Sequence, residues 1–97
     1  MQIERIDNGS NVILKLIGRI DTTTAPELEA VVESLTEVTG LVMDCGELEY
    51  VSSAGLRVIL KAQKMMNTQG SLTLCNVNET IMEVFDITGF ADILDIE

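Results

Sequence analysis

The apolar residues change period several times along this chain, and that alternation limits the folds open to it more than any other feature. "MQIERI" and "NVILKLIG" flank the turn-rich cluster "DNGSN" and read as a β-hairpin. In the second run Val12, Leu14 and Leu16 alternate with Ile13, Lys15 and Ile17, so a strand largely buried on both faces is expected. The period then turns helical. Leu28, Val31, Val32, Leu35 and Val38 form one stripe of an amphipathic helix. Thr24 and Glu27 have capping-box spacing, Pro26 is tolerated in the first turn, and Gly40 ends the helix. Glu29, Glu33 and Glu37 recur every four residues as a solvated outer row.

The run "LVMDC" is nearly continuous in apolar residues and suits a central strand covered on both sides. A helix follows from about Ser53 to Gln69, stopped by Gly70. "SLTLC" reads as the next strand. Asn78 then caps a helix carrying Ile81, Val84 and Phe85 and closed by Gly89, and "ADILDI" reads as a last short strand. Strands alternating with helices after an opening hairpin predict an α/β layer fold. The sheet is expected to be mixed and mostly parallel, with right-handed crossovers. No linker, repeat or low-complexity stretch divides the chain, so residues 1–97 read as one domain.

Composition excludes several function classes. A net charge of −10 argues against nucleic-acid or anionic-membrane binding. No apolar run approaches the ~20 residues of a membrane span, and "MQIERIDNGS" lacks the apolar centre of a signal peptide. A cytoplasmic protein is expected. Histidine is absent, and Cys45 and Cys75 read as buried free thiols, so the usual zinc sites and histidine-based triads are closed off. Neither a metal nor a cofactor is expected.

One stretch stands apart: "EYVSSAGLRVIL", from Glu49 to Leu60. Ser52 and Ser53 lie side by side at a helix start, with no histidine to activate either. Either can cap the helix. First-turn N–H groups and the helix dipole also favour a phosphate there, with Gly55 leaving the backbone open to close approach. Beyond the serines, Arg57, Lys61 and Lys64 share one helical face and make half of the chain's six basic residues. The stripe is a docking face for an acidic partner or an ordinary solvated face.

"LEYVSSAGLRVIL" resembles the signature of STAS domains, the anti-sigma factor antagonists of bacterial partner-switching systems. The resemblance runs the length of the chain, through "GRIDTTTAPELEAVV", "LVMDCGELEYV" and "VFDITGFADILDI". It implies a binding protein and not an enzyme. In such proteins a GHKL-type serine kinase, itself the anti-sigma factor, phosphorylates a serine at this helix start, and a PP2C-type phosphatase resets the switch. Aligning on Gly55 and Leu56 puts the acceptor at Ser53, with Ser52 as the alternative. Asp21, Asp44 and Gly55 match positions near the acceptor, and Ser52, Ala54, Arg57, Lys61 and Lys64 are the expected partner-binding residues. One position departs from the sporulation and stress-response pattern, which has Asp where this chain has Ser52. The other readings are a scaffold, an interaction subunit of a lipid-transport complex, or a small-ligand sensor.

Overall fold

Why the chain layers as it does follows from the order of its strands. The computed structural model describes all 97 residues. A hairpin of β1 (Gln2–Asn8) and β2 (Asn11–Ile20) leads through α1 (Ala25–Glu33) to β3 (Gly40–Val51). Then come α2 (Ser53–Gln69), β4 (Ser71–Cys75), α3 (Glu79–Thr88), a 3-10 turn (Phe90–Asp92) and β5 (Asp95–Ile96). The five strands form one mixed sheet in the order β1-β2-β3-β4-β5, with β1 antiparallel to β2 and the other pairs parallel. Each parallel crossover therefore steps one strand further in the same direction. Right-handed connections repeated in one direction put every helix on the same face.

That one-sided layering corrects two expectations. The row Leu14, Met43 and Leu74 is fully buried beneath the helices. On the opposite face Ile6, Ile13, Val42 and Thr73 lie side by side, and Ile6 and Ile13 are 56% and 39% exposed. Neither β2 nor the "LVMDC" strand is covered on both sides. An antiparallel hairpin at the sheet edge supplies no helix for the second face, and a mixed sheet tolerates one open side. The core of 24 buried apolar residues is almost wholly aliphatic, with Phe85 its one fully buried ring. Each buried Val, Leu, Ile, Met or Phe side chain among them contributes about 1.5–3 kcal/mol by leaving water.

Local boundaries also differ from the periodicity. Helix α1 stops at Glu33, although Leu35 and Val38 remain buried. Past it the chain runs in tight turns, with Leu35 N–H donating to Val32 and Val38 N–H to Leu35. A step of three residues keeps those side chains inward, which mimics a helical stripe. Gln69 Nε2 reaches back from α2 to hold the Leu35 and Val38 carbonyls at 2.7 and 2.6 Å. Gly40 opens β3 instead of ending a helix. Gly70 does end α2, but through space: its φ is extended, and a Cβ there would run into the Thr39 carbonyl.

The "GELEYV" segment that follows "LVMDC" stays in β3. Between the pairs Lys15/Asp44 and Ile17/Glu47, Leu16 of β2 opposes both Cys45 and Gly46 of β3, and between Gly18/Leu48 and Arg19/Tyr50 the extra residue Glu49 has no partner. These bulges lengthen β3 while keeping its inner residues buried. At the other end, only Ala91 and Asp92 of "ADILDI" belong to the 3-10 turn, and only Asp95 and Ile96 pair with β4. Asn78 caps α3 as expected, accepting the Ile81 N–H at 2.9 Å, and Gly89 closes it in the left-handed conformation.

Candidate functional site

Strands β2 and β3 end together. Their last pair is Ile20 with Val51, and the Ser52 N–H adds one more bond to the Ile20 carbonyl at 2.8 Å. From this shared edge one chain turns into α1 and the other into α2. Two helix starts therefore sit next to each other at the carboxyl ends of parallel strands, the place where α/β sheets gather their functional groups.

Ser52 and Ser53 divide the work. Ser52 is the N-cap of α2, and its Oγ accepts the Gly55 N–H at 3.3 Å. Ser53 is the first helical residue, is exposed, and takes no part in the cap. Gly55 has a packing reason besides the open backbone expected of it. It is buried, and a Cβ would stand 2.6 Å from Ile20 Cγ2 and 3.0 Å from Val51 Cγ1. The first turn of α2 lies that close to the sheet, so glycine is required by packing.

The α1 start is organised by Asp21 and not by a Thr24/Glu27 capping box. Asp21 Oδ1 accepts from the Thr23 hydroxyl at 2.6 Å, the Thr23 N–H at 2.9 Å and the Thr24 N–H at 3.1 Å. Thr24 instead turns its hydroxyl back, donating to the Arg19 carbonyl and accepting the Asp21 N–H. These bonds, the Thr23 hydroxyl foremost, hold the Asp21 carboxyl down to about 2. Asp21 and Ser52 follow the paired Ile20 and Val51, so their backbones are neighbours, while the carboxylate itself is turned into the α1 start.

Asp44 belongs elsewhere. It lies seven positions before Val51 on the same strand, on the order of 20 Å away along β3. There it accepts from Asn76 Nδ2 and the Gly46 N–H, which lower its pKa. Asn76 adopts a left-handed backbone, φ 55°, to make that contact. The expectation that Asp44 neighbours the acceptor fails because the segment between them is extended strand, not a returning loop.

The basic stripe is split. Lys61 bonds Glu33 and Glu29 of α1 at 3.1 and 3.3 Å, and this pairing raises its pKa, the Glu33 bond most. The acidic row of α1 is therefore partly engaged, and Glu37 has left the helix. Arg57 and Lys64 are exposed and make no ion pair. Arg57 and Ala54 line a depression of about 240 Å³ between the two helix starts, with Thr22, Pro26 and Glu29 across from them. Sequence reading missed Thr22 and Pro26 here, and also Arg19, whose guanidinium lies 4.4 Å over the Tyr50 ring. That pair depends on the second bulge of β3, for which no local pattern exists.

The cysteines carry no site. Cys45 is buried, and desolvation pushes its thiol up to about 12. Cys75 is only half-buried and is also raised by burial. Thiolates form at neither near neutral pH.

A one-sided α/β domain with two helix starts over the ends of adjacent parallel strands matches known proteins. The profile of the STAS domain matches residues 2–97, and the chain belongs to that family. An anti-sigma-B factor antagonist of Bacillus subtilis is 36% identical over 91 residues, covering 92% of this chain and 84% of the relative. Among solved structures, the anti-sigma factor antagonist SpoIIAA in its unphosphorylated form aligns with a TM-score of 0.76 at 19% identity. That alignment covers 99% of this chain and 86% of the other. The Bacillus cell fate determinant SpoIIAA in its phosphorylated form gives 0.76 at 20% identity, covering 99% and 89%. At such identities the structures speak for the fold alone.

Proposed function

We propose that this chain is an anti-sigma factor antagonist: a binding protein that engages an anti-sigma factor serine kinase of GHKL type, frees a sigma factor, and is switched off when Ser53 is phosphorylated. The observation that carries the reading is the division of labour between the two serines. Ser52 is occupied by the α2 cap, whereas Ser53 is exposed and takes no part in it, one residue before Ala54, which lines the depression with Arg57. A serine without an internal base needs a partner for its chemistry. The kinase would supply the base that takes the Ser53 proton as Oγ bonds the γ-phosphorus and ADP departs. A PP2C-type phosphatase would hydrolyse the ester and reset the switch.

The first-turn N–H groups and helix dipole stabilise a phosphate at this position, so phosphorylation is compatible with the fold. Docking is another matter. The modification adds about 1.5 to 2 negative charges that must be desolvated against an acidic partner surface. A penalty of about 3 kcal/mol weakens binding more than a hundredfold. The test is phosphosite mapping after incubation with the cognate kinase and ATP, with binding measured for Ser53→Ala, Ser53→Asp and Ser52→Ala. Phosphate on Ser53, a Ser53→Ala variant that ATP cannot release, and a folded Ser53→Asp variant that binds poorly are expected. Phosphate on Ser52, or on neither serine with an active kinase, would reject the assignment.

A further inference from the structure

We infer that Arg57 is the intramolecular receptor for a phosphate on Ser53, so that modification both adds charge and withdraws the cation that faces the partner. The inference rests on the phosphoserine reading above and adds its mechanism. Ser53 and Arg57 are four residues apart on the continuous helix α2, and both are exposed. Residues at this spacing stand about 5–6 Å apart between Cβ atoms on one helical face. Helical side chains lean toward the helix N-terminus, so a long residue covers the turn before its own. The Arg57 side chain is thereby within reach of the turn that begins with Ser53. An anion N-terminal to a cation at this spacing is the favourable order with respect to the helix dipole.

The neighbouring charges leave Arg57 as the group for this task. Lys61 is held by Glu33 and Glu29, and Lys64 lies nearly two turns further along α2 than Arg57. Arg19 lies over Tyr50 at the end of β2. On the acidic side, Asp21 follows the strand end and Glu29 lines the same depression as Arg57. Before modification Arg57 faces this depression, open to an acidic partner. Afterwards a planar guanidinium and a phosphate dianion form paired N–H···O bonds on one helix turn. Lysine would hold the phosphate less well, because it lacks the fixed fork of donors.

The test separates this inference from the reading beneath it. Phosphoserine is installed at position 53 of the full chain during synthesis, without a kinase, and its second ionisation is followed by phosphorus NMR. In the parent chain the pKa should fall below that of the Arg57→Gln variant by about half a unit, with Arg57→Lys between them. Melting of unphosphorylated Arg57→Gln should match the parent, which excludes a fold defect. With the anti-sigma kinase as ligand, the effects of phosphate and of Arg57→Gln on affinity should be coupled: phosphate costs fewer-fold in the variant than in the parent. Equal phosphate pKa values in parent and Arg57→Gln, or strictly additive losses of affinity, would overturn the inference. Absence of kinase binding or of enzymatic transfer to Ser53 would instead strike the proposed function and leave the phosphorus result intact.

Discussion

At the residue scale the two serines are chemically alike and structurally opposite. Ser52 closes the α2 start, so Ser52→Ala should cost about 1 kcal/mol of stability, whereas Ser53→Ala should cost little. Urea unfolding of the two variants checks this, and equal losses would contradict the assigned cap. Asp21 makes a second prediction at this scale. Its carboxyl is depressed from an ordinary 3.8 to about 2 in the folded chain. The ionised form therefore stabilises the fold at pH above about 4, and that contribution fades as pH falls through about 2. In Asp21→Asn, which keeps an acceptor oxygen but not the charge, the unfolding midpoint should vary less across that interval than in the parent.

At the scale of elements, the contact between α1 and α2 is a polar clamp laid over an apolar one. Leu28 and Val32 bury beneath α1, while Lys61 reaches Glu29 and Glu33 across the helix surfaces. Exposed ion pairs are weak and screened by salt. Lys61→Glu should therefore lower the melting temperature slightly at low salt, and the difference from the parent should shrink at high salt. An effect on partner binding that far exceeds that of Arg57→Glu would return Lys61 to the docking face. The pairing with α1 makes Arg57 the larger effect. This also explains why the helical wheel alone misled: it groups side chains by angle on one helix and is blind to the helix alongside.

For the whole molecule, sixteen acidic against six basic residues leave a net charge of −10 on a domain of 97 residues. Self-repulsion at that density opposes compaction, and salt relieves it. Raising the ionic strength from low to physiological should raise the melting temperature, despite weakening the Lys61 clamp and the Lys15–Glu47 and Arg5–Asp7 pairs. Thermal melts in a salt series measure the balance. A decrease would mean that the pairs outweigh the net repulsion.

What the sequence by itself determined is what depends on near neighbours in the chain. The switch between strand and helical periods defined the hairpin, three helices and the alternation of strands with helices along the chain, because those patterns reflect burial of one side of a single element. The Asn78 cap and the Gly89 stop were legible for the same reason. The family signature drew attention to Ser52 and Ser53. Tertiary structure decided what depends on distant partners. It set all the helices on one face, left Ile6 and Ile13 open, and kept β3 extended through two bulges, so that a length of strand separates Asp44 from the serines. It also gave Lys61 to α1, pressed Gly55 onto Ile20 and Val51, and brought Asp21 to the side of Ser52. Each of these outcomes turns on which segment lies alongside which, and parallel pairing across a crossover leaves no local trace in the residues it joins.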